Sequence, residues 1–67
     1  MTERERIGAL IASLRKEKGL TQEDLATICG MKKQHISRIE HGMYSVGIEI
    51  LAKIGEALGR KIDLVKK

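Results

Sequence analysis

Residues 21–42, TQEDLATICGMKKQHISRIEHG, decide the fold. Thr21-Gln22-Glu23-Asp24 resembles a capping box, with an acidic side chain at the third helical position. Leu25, Ala26 and Cys29 then give a helix an inward face, and Gly30 stops it. A second helix is expected from about Lys32 to about Glu40, with Ile36 and Ile39 facing the core and Met31 at the turn. Gly42 suits the left-handed residue that ends it. Lys33, Gln34, Ser37 and Arg38 fall on the side away from the core, with Lys32 and His35 at its margins.

This second helix breaks a local rule. No Ser, Thr, Asp or Asn stands at its start, and two lysines sit at the positive end of its dipole. A missing cap costs about 1 kcal/mol, and the lysines add a little more. Such violations are expected at functional sites. A phosphate at that helix end would reverse both penalties.

Outward from this pair, Ile7, Leu10, Ile11 and Leu14 form an i, i+3, i+4, i+7 stripe within a helix over residues 4–18. Gly19 ends it after the basic run Arg15, Lys16, Lys18. Residues 43–46, MYSV, are a loop. From Gly47 to Leu58, Ile48, Leu51, Ile54, Ala57 and Leu58 again show helical spacing, with Gly55 allowing close helix approach and Gly59 ending the helix. Ile28 and Ile50 lie off the expected core faces. With Ile62, Leu64 and Val65 they could mark a dimer or partner surface. The tail, RKIDLVKK (60–67), alternates Ile62 and Leu64 with Lys61 and Asp63, which favours a short β-strand over a fifth helix or a frayed end. A lone strand is most simply satisfied by pairing with its copy in a second chain.

The chain has 67 residues, the size of one small domain, 1–67. A single cysteine, Cys29, excludes an internal disulfide and zinc-finger spacing, and its position makes it a small core hydrophobe. No apolar run approaches the ~18 residues of a membrane span, and MTERERIGAL lacks a signal peptide's apolar centre. A cytoplasmic location is expected. The net charge of +4 and pI of about 9.5 are unevenly distributed. Residues 32–42 carry three basic side chains against Glu40, and 60–67 carry four against Asp63, whereas 21–31 hold only Glu23 and Asp24. That distribution suits a polyanion partner, with a solvated basic surface as the bland alternative. Tyr44 is the one aromatic residue among Phe, Trp and Tyr, which argues against base stacking on aromatic platforms.

The 21–42 stretch and the following IEILAKIGEALG closely resemble the phage-repressor/Cro-like (XRE-type) helix-turn-helix proteins over roughly residues 7–59. The Thr-Gln opening, the Leu-Ala pair, the turn glycine, Ile-Ser-Arg-Ile-Glu and the closing glycine fall in register. The resemblance implies an all-α bundle of four or five helices whose third helix docks in the major groove. Dimers would read half-sites about one helical turn apart. It also implies roles for individual residues. Gln22 matches a phosphate-contacting position that often buttresses a base contact. Lys33, Gln34 and Arg38 match positions that reach base edges, and Lys32 and Ser37 positions that touch bases or phosphates. His41, Tyr44 and Ser45 match a segment lying along the backbone. Thr21 and His35 complete the candidate DNA-binding set. Arg15 and Glu40 match a structural salt bridge, so Arg15 is not counted as a DNA contact. The chain departs from the pattern at Lys32, at His41, in a loop without basic residues or proline, and in its strand-like tail, which looks like that of antitoxin-type members.

The residue types support base readout. Arg can bond guanine bidentately and Gln can do the same to adenine. Gln34 and Arg38, four apart, share a face. Lys32 and Lys33 suit salt-sensitive phosphate attraction. His35 and His41 diverge on a helix, and nothing completes a metal site. Ser37 has no buried acid and oriented histidine, so no enzyme is expected, nor any cofactor or small-molecule ligand. The leading expectation is a transcriptional repressor bound to double-stranded DNA as a homodimer. The alternatives are an autorepressing antitoxin with a toxin partner, or a protein-interaction module using the same scaffold.

Overall fold

In a computed structural model of the chain, which describes residues 1–64, four helices follow one another: α1 (Glu3–Glu17), α2 (Gln22–Cys29), α3 (Lys33–Glu40) and α4 (Ile48–Ala57). The described residues contain no strand and no fifth helix. Residues 60–64 hold no regular element, and Val65, the third branched residue of the expected tail strand, lies outside the described part.

Two helices start on reciprocal caps. Thr21 Oγ1 accepts from the Asp24 N–H at 3.0 Å, while Asp24 accepts from the Thr21 N–H at 2.9 Å. Thr2 and Glu5 repeat this arrangement, so α1 begins slightly earlier than the apolar stripe indicates. These backbone donors favour the charged carboxylates and hold the pKa of both Glu5 and Asp24 below the usual carboxylate range. All four helices end at a left-handed glycine. At α3 the Gly42 N–H donates to the Ile39 carbonyl at 3.1 Å and the Met43 N–H to the Arg38 carbonyl at 2.9 Å.

The core joins Ile11 of α1, Leu25, Ala26 and Cys29 of α2, Ile36 and Ile39 of α3, Ile54 of α4, and Leu58. Burial raises the Cys29 thiol pKa, which makes it a packing group rather than a nucleophile. α3 packs on both α1 and α2, and α4 packs on α2.

Four details differ from the sequence pattern. Leu10 is half exposed, because the buried face of α1 is centred on Gly8, Ile11 and Arg15. Ile48 is exposed, because the covered stripe of α4 runs through Ile50, Leu51, Ile54 and Ala57. Ile50 therefore packs against the core rather than lying off it. Gly55 makes room for the chain's own return, its absent Cβ facing the Arg60 carbonyl at 3.3 Å, and not for another helix.

The close helix approach occurs instead at Gly8. A Cβ there would lie 2.3 Å from the Ile39 carbonyl oxygen and 2.7 Å from that of Glu40. α1 thus rides on the C-terminal carbonyls of α3. By helix propensity alone, Gly8→Ala should stabilise by about 0.5–1 kcal/mol. The backbone clash reverses the sign: we expect a net loss of about 1–3 kcal/mol, read as a lower midpoint in thermal or urea unfolding.

Candidate nucleic-acid interface

Arg15 and Glu40 meet in the interior. Arg15 Nε donates to Glu40 Oε2 at 2.7 Å and Nη2 to Oε1 at 3.1 Å, forming a two-pronged pair. Arg15 Nη1 donates to the Leu20 carbonyl at 2.8 Å, and Gln22 Nε2 donates to Glu40 Oε1 at 3.0 Å. No buried side-chain polar atom among the described residues lacks a partner. The Glu40 carboxylate raises the Arg15 pKa further above its already high value. Glu40 closes α3, where the helix dipole disfavours a negative charge, and the guanidinium offsets that. All three guanidinium nitrogens of Arg15 are engaged in this network.

The other side of α3 is open. Lys32, Lys33, Gln34 and Arg38 are exposed; His35 and Ser37 are half-buried. Lys32 occupies the N-cap position in extended conformation, and no side chain caps α3. The Lys33 and Gln34 N–H groups, lacking intrahelical acceptors by geometry, face outward beside two ammonium groups.

The candidate residues gather in two neighbouring recesses. Thr21, Gln22 and Lys33 line one, with Arg15, Gly19, Leu20 and Glu23. Lys32, Gln34, His35, Arg38 and Tyr44 line the other, with Met43. Thr21 Oγ1 is engaged as a cap, and Gln22 is tied to Glu40 through its amide nitrogen, which leaves its carbonyl oxygen free to accept. His35 and Tyr44 stack, ring centroids 4.4 Å apart at an interplanar angle of 34°.

Ser45 lines a third, small apolar recess with Glu3, Arg4, Ile7 and Val46, which shares only Tyr44 with the recess beside α3. Ser37 lines none of these recesses. His41 points its Nδ1 at the Ser37 carbonyl, 2.7 Å away, so that nitrogen carries the proton. Met43, 74 % exposed beside the stack, was not among the expected residues. An apolar loop residue carries no sequence signal for such a place. No cluster that could hold a metal ion occurs among the described residues.

Two short helices crossing at a left-handed glycine, the second exposed and basic, define a helix-turn-helix protein. The chain belongs to the helix-turn-helix (HTH_3) family, whose profile matches residues 11–65. It is 46% identical over 52 residues, 78% of this chain and 75% of the relative, to an uncharacterized HTH-type transcriptional regulator of Methanothermobacter thermautotrophicus. The clp gene regulator ClgR of C. glutamicum superposes with a TM-score of 0.90 at 34% identity, covering 92% of this chain and 80% of that one. The biofilm master regulator SinR, solved in complex with DNA, superposes with a TM-score of 0.77 at 34% identity, covering 82% and 89%. The family is one of transcriptional regulators and not of enzymes.

The Arg15–Glu40 pair is buried on both sides, with side-chain exposures of 10% and 4%. Arg15→Ala would strand the carboxylate, and we expect it to cost about 3–5 kcal/mol in urea unfolding. An unaltered unfolding midpoint would contradict this accounting.

Proposed function

We propose that the chain is a sequence-specific transcriptional repressor that binds a palindromic double-stranded DNA operator as a homodimer, with α3 in the major groove. The observation that carries this is the open face of α3. Lys33, Gln34 and Arg38 are exposed while Ile36, Ile39 and Glu40 on the same helix are buried. The face is therefore presented rigidly. Phosphates near the uncapped start would meet the Lys32 and Lys33 charges and the free N–H groups together. Gln34 and Arg38 supply base readout, and Lys32, Lys33, Thr21, Gln22 and Ser37 position the duplex. His35 adds to this face from the first turn of α3, and Tyr44 and Ser45, in the loop beyond its C-terminal end, complete the proposed interface. The similarity to SinR, solved in complex with DNA, supports DNA as the partner.

The tail supplies the second copy's contact. Ile62 is 41% and Leu64 98% exposed in the single chain, and pairing across a two-fold axis would cover both. No helix among the described residues is long and apolar enough to cross a membrane, and the cytoplasm is the proposed location. A second reading, an antitoxin bound to a toxin or other protein, is favoured by Ile28 on α2 and Ile48 on α4, exposed by 56% and 68%.

Three experiments test the repressor reading. Sites selected from random DNA should be palindromic, and Gln34→Ala with Arg38→Ala should abolish the preference, each bidentate contact being worth about 1–3 kcal/mol. Lys33→Ala should weaken all sequences alike and flatten the salt slope by about one unit. A double variant that keeps the same sites and affinities removes the readout assignment. For the dimer, sedimentation of a chain truncated after Gly59 should give a monomer; an unchanged dimer takes the tail out of the interface.

A further inference from the structure

The resemblance to phage repressors places Tyr44 against the DNA backbone. The geometry points to a different role, and we infer that Tyr44 is a positioning residue that holds His35 ready to contact DNA. The inference rests on the DNA-binding reading and adds to it a coupled pair.

The His35 ring makes no hydrogen bond among the described residues, so its orientation comes from packing. Its partner is the Tyr44 ring, 4.4 Å away centre to centre and tilted by 34°. Both anchors are firm. His35 precedes Ile36, which is fully buried, on α3. Tyr44 follows Met43, whose N–H is bonded to the Arg38 carbonyl at 2.9 Å, and Val46 beyond it packs against the core. The pair lies in one recess with Lys32, Gln34 and Arg38, and no carboxylate lines it. His41 is oriented differently, through the 2.7 Å bond of its Nδ1 to the Ser37 carbonyl rather than by a ring partner.

The stack has a physical consequence. A surface histidine free to rotate loses side-chain entropy when it contacts a ligand, and one already held has lost it. Such pre-ordering changes affinity by roughly three- to tenfold. The loop MYSV has no basic side chain of its own with which to grip a phosphate. The contribution of Tyr44 is then exerted through His35.

A double-variant cycle on a selected DNA site, read by fluorescence anisotropy, separates this from a direct contact. His35→Ala and Tyr44→Ala should each weaken binding roughly three- to tenfold, and the double variant should be no weaker than His35→Ala alone. Tyr44→Phe keeps the ring and should stay within about twofold of the wild type. Losses that multiply overturn the coupling, as does a Tyr44→Phe loss equal to that of Tyr44→Ala, which would mean that the hydroxyl grips phosphate. In the free protein, the His35 ring proton resonances should move in Tyr44→Ala and stay nearly fixed in Tyr44→Phe. Unmoved resonances in Tyr44→Ala overturn the stack without reference to DNA. A wild type without sequence-selective binding overturns the DNA reading instead, and with it the role inferred for the pair.

Discussion

The molecule depends on one ion pair. Arg15 and Glu40 are 25 residues apart in sequence and joined by two hydrogen bonds inside the bundle. They fix the end of α3 to the end of α1. Gln22 adds the start of α2 to the same carboxylate, and Leu20 adds the connecting loop through its carbonyl. Three helices thus converge on one buried charge. A buried ion pair contributes little net stability compared with a well-packed apolar alternative. Its value here is geometric: the side of α3 that carries Glu40 must face inward, so the side with Gln34 and Arg38 must face out.

That constraint matters because α2 and α3 are only eight residues each. Helices so short are unstable alone in water. Their ends must be satisfied locally, and their faces must be held by neighbours. The Thr21–Asp24 cap and the left-handed Gly30 serve α2. At Gly42 two demands coincide. Its φ is +70°, and a Cβ there would also fall 2.8 Å from the Glu5 Cα. The glycine that ends α3 is also the place where the first turn of α1 lies against it. Gly8, one turn on, lets the same two helices touch backbone to backbone. The bridge, Gly8 and Gly42 form one continuous seam between α1 and α3.

Much of this is legible in the sequence where the signal is local. The Thr21 cap, Gly30, Gly42 and the inward positions Leu25, Ala26, Cys29, Ile36 and Ile39 all follow from spacing of a few residues. The Thr2–Glu5 cap has the same local signature, masked by the mixed charge of the N-terminus. What spacing cannot reveal depends on which neighbour covers a face. Leu10 completes an apolar stripe, yet α1 turns its Gly8–Ile11–Arg15 side inward because a glycine and an ion pair permit closer approach than a leucine does. Ile48 and Ile50 exchange their expected places for a similar reason, α4 meeting its neighbours only after its first residues. The Arg15–Glu40 pair was expected through family resemblance, since residues so far apart leave no periodic trace. The His35–Tyr44 stack had no signal at all: it needs the turn after α3 to bring the loop back beside the helix.

The candidate interface and the stabilising seam divide α3 between them. Its C-terminal end is over-determined by Glu40, Gly42 and the α1 contact. Its N-terminal end is left uncapped, with Lys32 where a Ser, Thr, Asp or Asn would stabilise the helix. Such a helix can tolerate the open end because the other end holds it. The cost at Lys32 and Lys33 is then conditional: it persists in water and is offset when an anion meets the free N–H groups and both ammonium charges. α2 is the control within the same molecule. Its length is the same and its start is fully capped by Thr21 and Asp24, with no lysine in its first turn. α4 also starts without a side-chain cap, on Gly47, but carries Glu49 and no lysine in its first turn, so what sets the start of α3 apart is not the missing cap alone but the pairing of an open end with Lys32 and Lys33.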